Sequence, residues 1–256
     1  MASTEWHERR VAIAYLYQTF PVETGLATHL LSVLNQELPA EHAFTGFDAP
    51  QGRVRIWRRD PGPRASLFGL HLGPLEQPRN ATRFLLELTF PAHPEKIVEE
   101  LFDRSFSAFK KTVPNRALES VEVGHRASLR VPTGDAPPFF GEQFSRIPFG
   151  QNQSLKREII QQCLEVNLDF ETGENIPLPG ARSRIRVTPL AEDPSRLYVE
   201  IIATWQRMLL NIEKVPPQLR ASLPPSINAQ EQAPSFYFRQ VKSFVQNELT
   251  RFVTGG

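Results

Sequence analysis

Two arginine arrays stand out among the charged residues of this sequence. Each alternates along a predicted strand: Arg53 and Arg55 with Trp57 in the first, and Arg182, Arg184 and Arg186 in the second. Residues two apart on a strand point to the same side, so each array should form one charged face. Guanidinium groups bind phosphates bidentately, and an aromatic ring between them can stack on a base. The alternative is a solvated strand face, or an edge whose charges block pairing with other chains.

The overall charge balance bears on the role of these arrays. The chain has 29 lysines and arginines against 28 aspartates and glutamates, which gives a formal net charge of +1. Proteins that bind nucleic acid through a general basic surface carry a clear positive excess. We therefore expect the arrays to be structural or to face a partner, and that partner to be another protein rather than a nucleic acid.

The other reactive side chains form no catalytic pattern. The sequence contains no phosphate loop, dinucleotide-binding fingerprint, nucleophile elbow or zinc-protease motif, and its six histidines lack the spacing of zinc ligands. His125 lies on a predicted core face, which favours a hydrogen-bonded structural histidine over a general base. Cys163 is predicted to be a small buried side chain in a strand. The sequence thus predicts no catalytic residue, metal site or cofactor, and it favours a non-enzymatic role.

A proline-rich stretch between 132 and 153 concentrates aromatic side chains. Its phenylalanines are Phe139, Phe140, Phe144 and Phe149. Exposed aromatic residues are enriched at interfaces, so the loop could dock a protein partner. Alternatively, the rings fold back over the end of a sheet and belong to the core. The first interpretation makes the protein a binding or adaptor protein that acts through protein–protein contacts, and this is the leading functional hypothesis.

The last two residues, Gly255 and Gly256, offer a third hypothesis. A terminal Gly-Gly is the conjugated tail of ubiquitin-like modifiers, whereas a glycine after a helix is also an ordinary cap. The predicted last helix runs to Phe252, so only a short tail would follow it.

Hydrophobic periodicity predicts an α+β fold of antiparallel sheets with three main helices. The helices are expected at 26–38, 94–113 and 236–252, and a long strand at 118–131. Strands at 53–59 and 66–72 should form a hairpin, and those at 182–187 and 197–206 should pair antiparallel. We expect residues 1–256 to form a single domain whose strand-rich C-terminal part spans about 155–253.

A repeated Thr-Phe-Pro sequence suggests an internal duplication. Thr19-Phe20-Pro21 and Thr89-Phe90-Pro91 each follow a predicted strand and precede a predicted helix. The pattern predicts two β-α-β-β units at about 8–75 and 80–135. Because duplicated units often leave a cleft between them, a small-ligand-binding domain is the alternative functional hypothesis.

Composition favours a cytoplasmic protein. The chain has one cysteine, so no intramolecular disulfide can form, which fits a reducing compartment. Residues 1–10 are polar rather than having the apolar core of a signal peptide. No apolar stretch reaches the roughly 20 residues needed to span a bilayer, so no membrane association is expected.

The order of these features resembles an uncharacterised, sporadically distributed bacterial protein family. Members open with an apolar strand that ends in Phe-Pro, have a central helix followed by a long strand, and end with an aromatic amphipathic helix. The matching segments here are Val11–Pro21, Phe106–Val131 and Phe236–Thr254. The acidic residue that the family carries inside its first strand is absent. The resemblance implies a fold but no activity and no site.

Overall fold

The described part of the chain forms nine strands and three helices. The computed structural model describes residues 6–40, 43–50, 52–59, 67–75, 81–89, 98–136, 138–139, 164–168, 181–206 and 231–250. The strands are β1 (Trp6–Gln18), β2 (Gly46–Asp48), β3 (Val54–Arg59), β4 (Leu67–Leu75), β5 (Ala81–Thr89), β6 (Leu118–Arg130), β7 (Leu164–Leu168), β8 (Ala181–Pro189) and β9 (Arg196–Gln206). The helices are α1 (Thr24–Glu37), α2 (Asp103–Thr112) and α3 (Pro234–Phe244). A π-helical turn precedes α2 at Val98–Phe102, and another continues α3 at Val245–Leu249.

All nine strands belong to one sheet, in the order β2-β3-β4-β5-β1-β6-β9-β8-β7. Every neighbouring pair runs antiparallel. The α+β class with antiparallel strands and three main helices is therefore confirmed, although the strands form one sheet rather than several. Strand β2 was not predicted, because its three residues are too few to show a period.

Two strand–helix–strand units lie at the centre of the sheet. β1 and β4, on either side of α1 in the chain, both pair antiparallel with β5 and so run parallel to each other. β5 and β6, which flank α2, lie in the same way on either side of β1. This is the split β-α-β-β-α-β connectivity of ferredoxin-like folds. Here β2 and β3 are inserted before β4, while β7 to β9 and α3 follow β6.

The strand–helix–strand order occurs twice in this connectivity, while the predicted duplication itself stays a prediction. The hairpin of β2 and β3 has no counterpart between α2 and β6, so the repeated unit is strand–helix–strand rather than β-α-β-β. Phe20 is buried directly after β1, whereas Phe90 lies outside the described residues. Superposition of the two units stays a prediction.

The helices cover one face of the sheet. The ring of Tyr15 in β1 stacks on Phe106 of α2 with centroids 4.4 Å apart, and it meets Tyr237 of α3 edge-on at 6.2 Å. Phe84 of β5 stacks on Phe109 of α2 at 4.1 Å. Helix α1 packs beside α2. Its buried residues Ala27, Leu30 and Leu34 recur at helical spacing and therefore form one apolar stripe.

Residues of other elements hold the start of α3. Asp103 of α2 accepts hydrogen bonds from the backbone N–H of Ser235 at 2.8 Å and from its hydroxyl at 2.5 Å. Glu231, just before the helix, accepts a hydrogen bond from the Tyr17 hydroxyl at 2.5 Å and binds Lys110 at 2.6 Å. No side chain of α3 caps its own N-terminus. Asp103 therefore supplies the acceptor that the first turn of α3 needs.

The side of the sheet opposite the helices, called the outer face below, carries charged and small side chains. Arg10 pairs with Glu87 at 2.6 Å, and Arg126 pairs with Glu200 at 2.6 Å. A small buried cluster of Ala14, Leu16 and Ala81 lies on the same side. None of the described helices has the length and apolar character needed to cross a bilayer.

Candidate functional site

A basic cleft lies on the outer face where β3, β4 and β5 run side by side. Its volume is about 200 Å³. It is lined by Arg53, Val54, Arg55, His71, Leu72, Gly73, Pro74, Leu75 and Arg83. Two of the sequence-predicted residues, Arg53 and Arg55, thus belong to a concave site.

Strand register brings the charged side chains of the cleft together. Arg55 of β3 lies opposite His71 of β4, and Gly73 of β4 lies opposite Arg83 of β5. Cross-strand partners share a face of the sheet. Val54 and Leu72 are buried partners on the helix side, so the alternate residues Arg55 and His71 face outward.

A glycine in β4 makes room for one of the arginines. A Cβ added to Gly73 would lie 2.9 Å from Cγ of Arg53, which is closer than real contacts allow. The aliphatic stem of Arg53 therefore lies across the backbone of β4 at this position. Glycine inside a strand often marks such a close approach.

The cleft has a positive electrostatic environment. None of the residues that line it is acidic. Arg55 and Arg83 are exposed, and within the part of the chain that the structure describes neither forms an ion pair. The carboxylate of Glu87, also on β5, is bound by Arg10. The exposed Asp48 of β2 lies opposite Arg55, whereas Arg83 lies opposite Gly73. Both exposed guanidinium groups can donate hydrogen bonds to an anion.

The positive charges around the cleft also affect the pKa of His71. Burial lowers the pKa of His71 below its ordinary value, and the positive charges of Arg55, Arg83 and Arg10 lower it further, against the opposing charge of Glu87. At neutral pH the imidazole is accordingly uncharged and can donate or accept a hydrogen bond.

The second arginine array lies elsewhere on the sheet and differs in its surroundings. Arg184 is exposed on β8, and Arg186 lies opposite Glu200 of β9. Both of these arginines have interactions with other residues. The side chain of Arg182 lies outside the described residues. Strands β4, β5, β1, β6 and β9 separate β3 from β8, so the sheet does not bring the arrays together.

The histidine of β6 is buried and hydrogen-bonded, as the sequence predicted. His125 is fully buried, and its Nε2 binds the carboxylate of Glu8. A bulge in β1 between Glu8 and Arg10 puts Glu8 on the helix side of the sheet. The other ring nitrogen, Nδ1, has no hydrogen-bond partner.

The aromatic loop is described at only one of its four phenylalanines. Phe139 is 6% exposed and packs in the main hydrophobic core. Its ring is therefore buried among core residues, while the docking hypothesis for the loop stays a prediction. Phe140, Phe144 and Phe149 lie outside the described residues, and their role stays a prediction.

Three further predicted residues also fall outside the described residues, namely Cys163, Gly255 and Gly256. The hypothesis of a ubiquitin-like modifier conjugated through Gly256 therefore stays a prediction. Among the described histidines, cysteines and carboxylates, no group of three or more could hold a metal ion.

Sequence reasoning missed half of the polar side chains of the cleft. His71 and Arg83 lie on strands that follow β3 in the chain, and only the register of the sheet places them beside Arg55. One signal was available, because His71 alternates with Gly69 and Gly73 in a strand. Two glycines on one face of a strand indicate that other groups approach its backbone.

Comparison with known proteins adds little. No protein-family model matches the chain, and no curated protein matches it. Among solved structures, a similar chain is described as the crystal structure of the di-domain ARO/CYC BexL from the BE-7585A biosynthetic pathway. The match has 12% identity, covers 98% of this chain and 96% of that chain, and has a TM-score of 0.25. At this TM-score the likeness carries no argument about fold or function.

Proposed function

We propose that the protein is a binding protein and that the basic cleft binds a small anionic ligand. The observation that carries this proposal is the convergence of three arginines and one histidine, from three adjacent strands, around a concavity with no acidic lining residue. The like charges of Arg55 and Arg83 repel one another, so an anion that enters the cleft between them is stabilising. This is the small-ligand alternative of the sequence analysis, placed within one half of the sheet rather than between duplicated units.

The size and lining of the cleft limit the ligand. A volume of about 200 Å³ accepts a small molecule and not a folded partner. Leu75 and Pro74 add an apolar wall beside the charged groups. Arginine favours planar or tetrahedral oxyanions, because its donors match the spacing of two oxygens. Phosphate and carboxylate groups are therefore the chemistry that this cleft suits.

Titration of the full chain with inorganic phosphate and with sulfate, at constant ionic strength, tests the proposal. We expect saturable binding by calorimetry, with affinity lowered roughly tenfold in Arg55→Ala and in Arg83→Ala, since a charge-assisted hydrogen bond contributes about that factor. Arg184→Ala is the matched control, because Arg184 also lies on an outer strand face but outside the cleft. Absence of binding, or equal loss in all three variants, contradicts the proposal.

A further inference from the structure

Trp57 is a positioned and exposed aromatic residue beside the basic cleft. It follows Arg55 by two residues on β3, so both side chains lie on the outer face. Trp57 is 37% exposed, which is high for a tryptophan in a strand that has a neighbouring strand on each side. Exposure of so large an apolar surface costs free energy unless something covers it.

A glycine fixes the place of this indole. Gly46 of β2 lies opposite Trp57, and a Cβ added to Gly46 would overlap Cε2, Nε1 and Cζ2 of the indole. Any other residue at position 46 would therefore displace the ring. The indole lies on the backbone of Gly46, and this contact holds it in one orientation before a ligand arrives.

The strand on the other side of Trp57 also presents a glycine. Gly69 of β4 is its cross-strand partner, and the atom closest to a Cβ added there is Nε2 of His71, at 3.2 Å. No side chain of β4 stands directly opposite the indole. The backbone of β4 and the imidazole of His71 therefore form the bottom of the space between Trp57 and the cleft.

The spacing along β3 matches a ligand with two different ends. Arg53, Arg55 and Trp57 follow one another on one face, so their Cα atoms are spaced about 7 Å apart at the usual rise of a strand. The charged end of a ligand at Arg53, Arg55 and Arg83 would thus leave its other end within reach of the indole. A mononucleotide has this form, a phosphate joined through a sugar to a planar base.

We propose that the ligand of the basic cleft is a mononucleotide, with its phosphate held by Arg53, Arg55 and Arg83 and its base stacked on Trp57. This inference rests on the proposed function, because it identifies the bound anion as a phosphate group and adds a base that stacks on Trp57. Base stacking on an aromatic side chain tolerates every base, since each has a π face. The site therefore selects the class of ligand through its two ends rather than through base identity.

The test compares AMP, ribose 5-phosphate and inorganic phosphate as probes of the full chain by calorimetry. We expect AMP to bind roughly tenfold more tightly than ribose 5-phosphate, which is the contribution of a stacked base. Trp57→Leu should remove this preference and leave binding of ribose 5-phosphate unchanged. Gly46→Ala, which displaces the indole without removing it, should reduce the preference as well.

A neighbouring aromatic residue supplies the control. Phe47 is 40% exposed and lies opposite the buried Ile56, so its side chain is on the helix side of the sheet. Phe47→Leu should keep the full preference for AMP. In the unmutated protein, AMP should also quench tryptophan fluorescence where ribose 5-phosphate does not. This quenching should be lost in Trp57→Leu, which distinguishes Trp57 from Trp6 and Trp205.

The outcomes separate the two proposals. If ribose 5-phosphate binds as tightly as AMP, or Trp57→Leu keeps the preference, the mononucleotide inference is overturned while the anion cleft stands. If none of the three probes binds, both proposals are wrong. Equal loss in Phe47→Leu and Trp57→Leu also overturns the inference, because it points to a general effect of the β2–β3 hairpin.

Discussion

His71 is the residue at which the chemistry of the cleft should become measurable as pH dependence. Its pKa in the folded protein is lowered mainly by burial, and the positive charges of Arg55, Arg83 and Arg10 lower it further against the opposing charge of Glu87. The unfolded chain therefore binds a proton at His71 more readily than the folded chain does. Stability is then highest above the unfolded pKa of about 6.5 and is lost as pH falls through that value.

We expect His71→Asn to flatten this dependence. Between about pH 5 and 7.5 the wild-type protein should lose stability on acidification more steeply than the variant, because the variant has no imidazole to protonate. Urea unfolding at a series of pH values measures the difference. Parallel curves for the two proteins would show that His71 has the same proton affinity in both states.

Anion binding should be coupled to the same proton. A bound anion compensates the arginine charges that lower the pKa of His71, so that pKa should rise on binding. Binding then takes up a proton, and affinity for sulfate should increase as pH falls from 8 toward 6. Sulfate is the suitable probe because its own charge is constant in this range. An affinity that is independent of pH would place the anion away from His71.

The residues of the cleft show how far a sequence can predict a site. Arg53 and Arg55 were recognisable because they are two apart on one strand, and local alternation fixes their common face. Arg83 was not, since its nearness to Arg55 depends on how β3, β4 and β5 align. Pairing register is a property of the assembled sheet, which a single strand does not encode. Phe139 shows a second limit of sequence-based prediction. An aromatic residue in a loop has the same sequence pattern whether its side chain docks a partner or packs in the core, where Phe139 lies.

At the scale of elements, α3 depends on α2 for its N-terminus. The helix begins with Pro234, whose missing N–H needs no partner, and Asp103 satisfies the next donor, the N–H of Ser235. Asp103 also places a negative charge near the positive end of the α3 dipole. The cap thus joins two helices that are far apart in the chain.

We expect Asp103→Ala to lower the free energy of unfolding by about 1–2 kcal/mol, which is the usual effect of losing an N-terminal cap. Ser235→Ala, which removes only the hydroxyl, should cost less. Ser107→Ala is the control, since Ser107 is an exposed position of the same helix as Asp103. Chemical denaturation measures all three, and an Asp103→Ala variant as stable as the control would show that the contact contributes nothing.

The elements themselves were largely predictable, for a physical reason. Long segments such as 118–130 and 103–112 have a clear period, because one of their faces is buried by the sheet or by the helices. Short elements have too few residues to show a hydrophobic period, and β2 was missed for that reason. The order of the strands was also beyond the sequence, since β1 pairs with β5 and β6 and not with the strand that follows it.

At the scale of the whole molecule, one hydrophobic core joins both ends of the sheet. Buried residues of α1, of the central strands and of α3 belong to a single cluster, which includes Leu34, Phe84 and Phe238. Separate domains would have separate clusters. The single domain stays a prediction, which the unfolding experiment below tests.

We therefore expect one cooperative unfolding transition. Leu34→Ala in α1 and Phe238→Ala in α3 remove fully buried side chains, and each should cost about 2–5 kcal/mol. Both variants should shift the same calorimetric peak, with its enthalpy equal to the van't Hoff value. Two peaks, each of which responds to only one variant, would show that the two ends of the sheet unfold independently.

The central place of β1 has a consequence for how the protein is made. Tyr15 of β1 pairs with Phe84 on one side and with Val121 on the other. During synthesis β1 therefore leaves the ribosome long before either strand that will flank it. Its apolar side stays exposed until those strands have been made. Chains with such distant pairings close their loops slowly and are exposed to aggregation meanwhile. A nascent chain that stops before β6 should for this reason be a client of chaperones that hold unfolded segments, while the finished sheet is not.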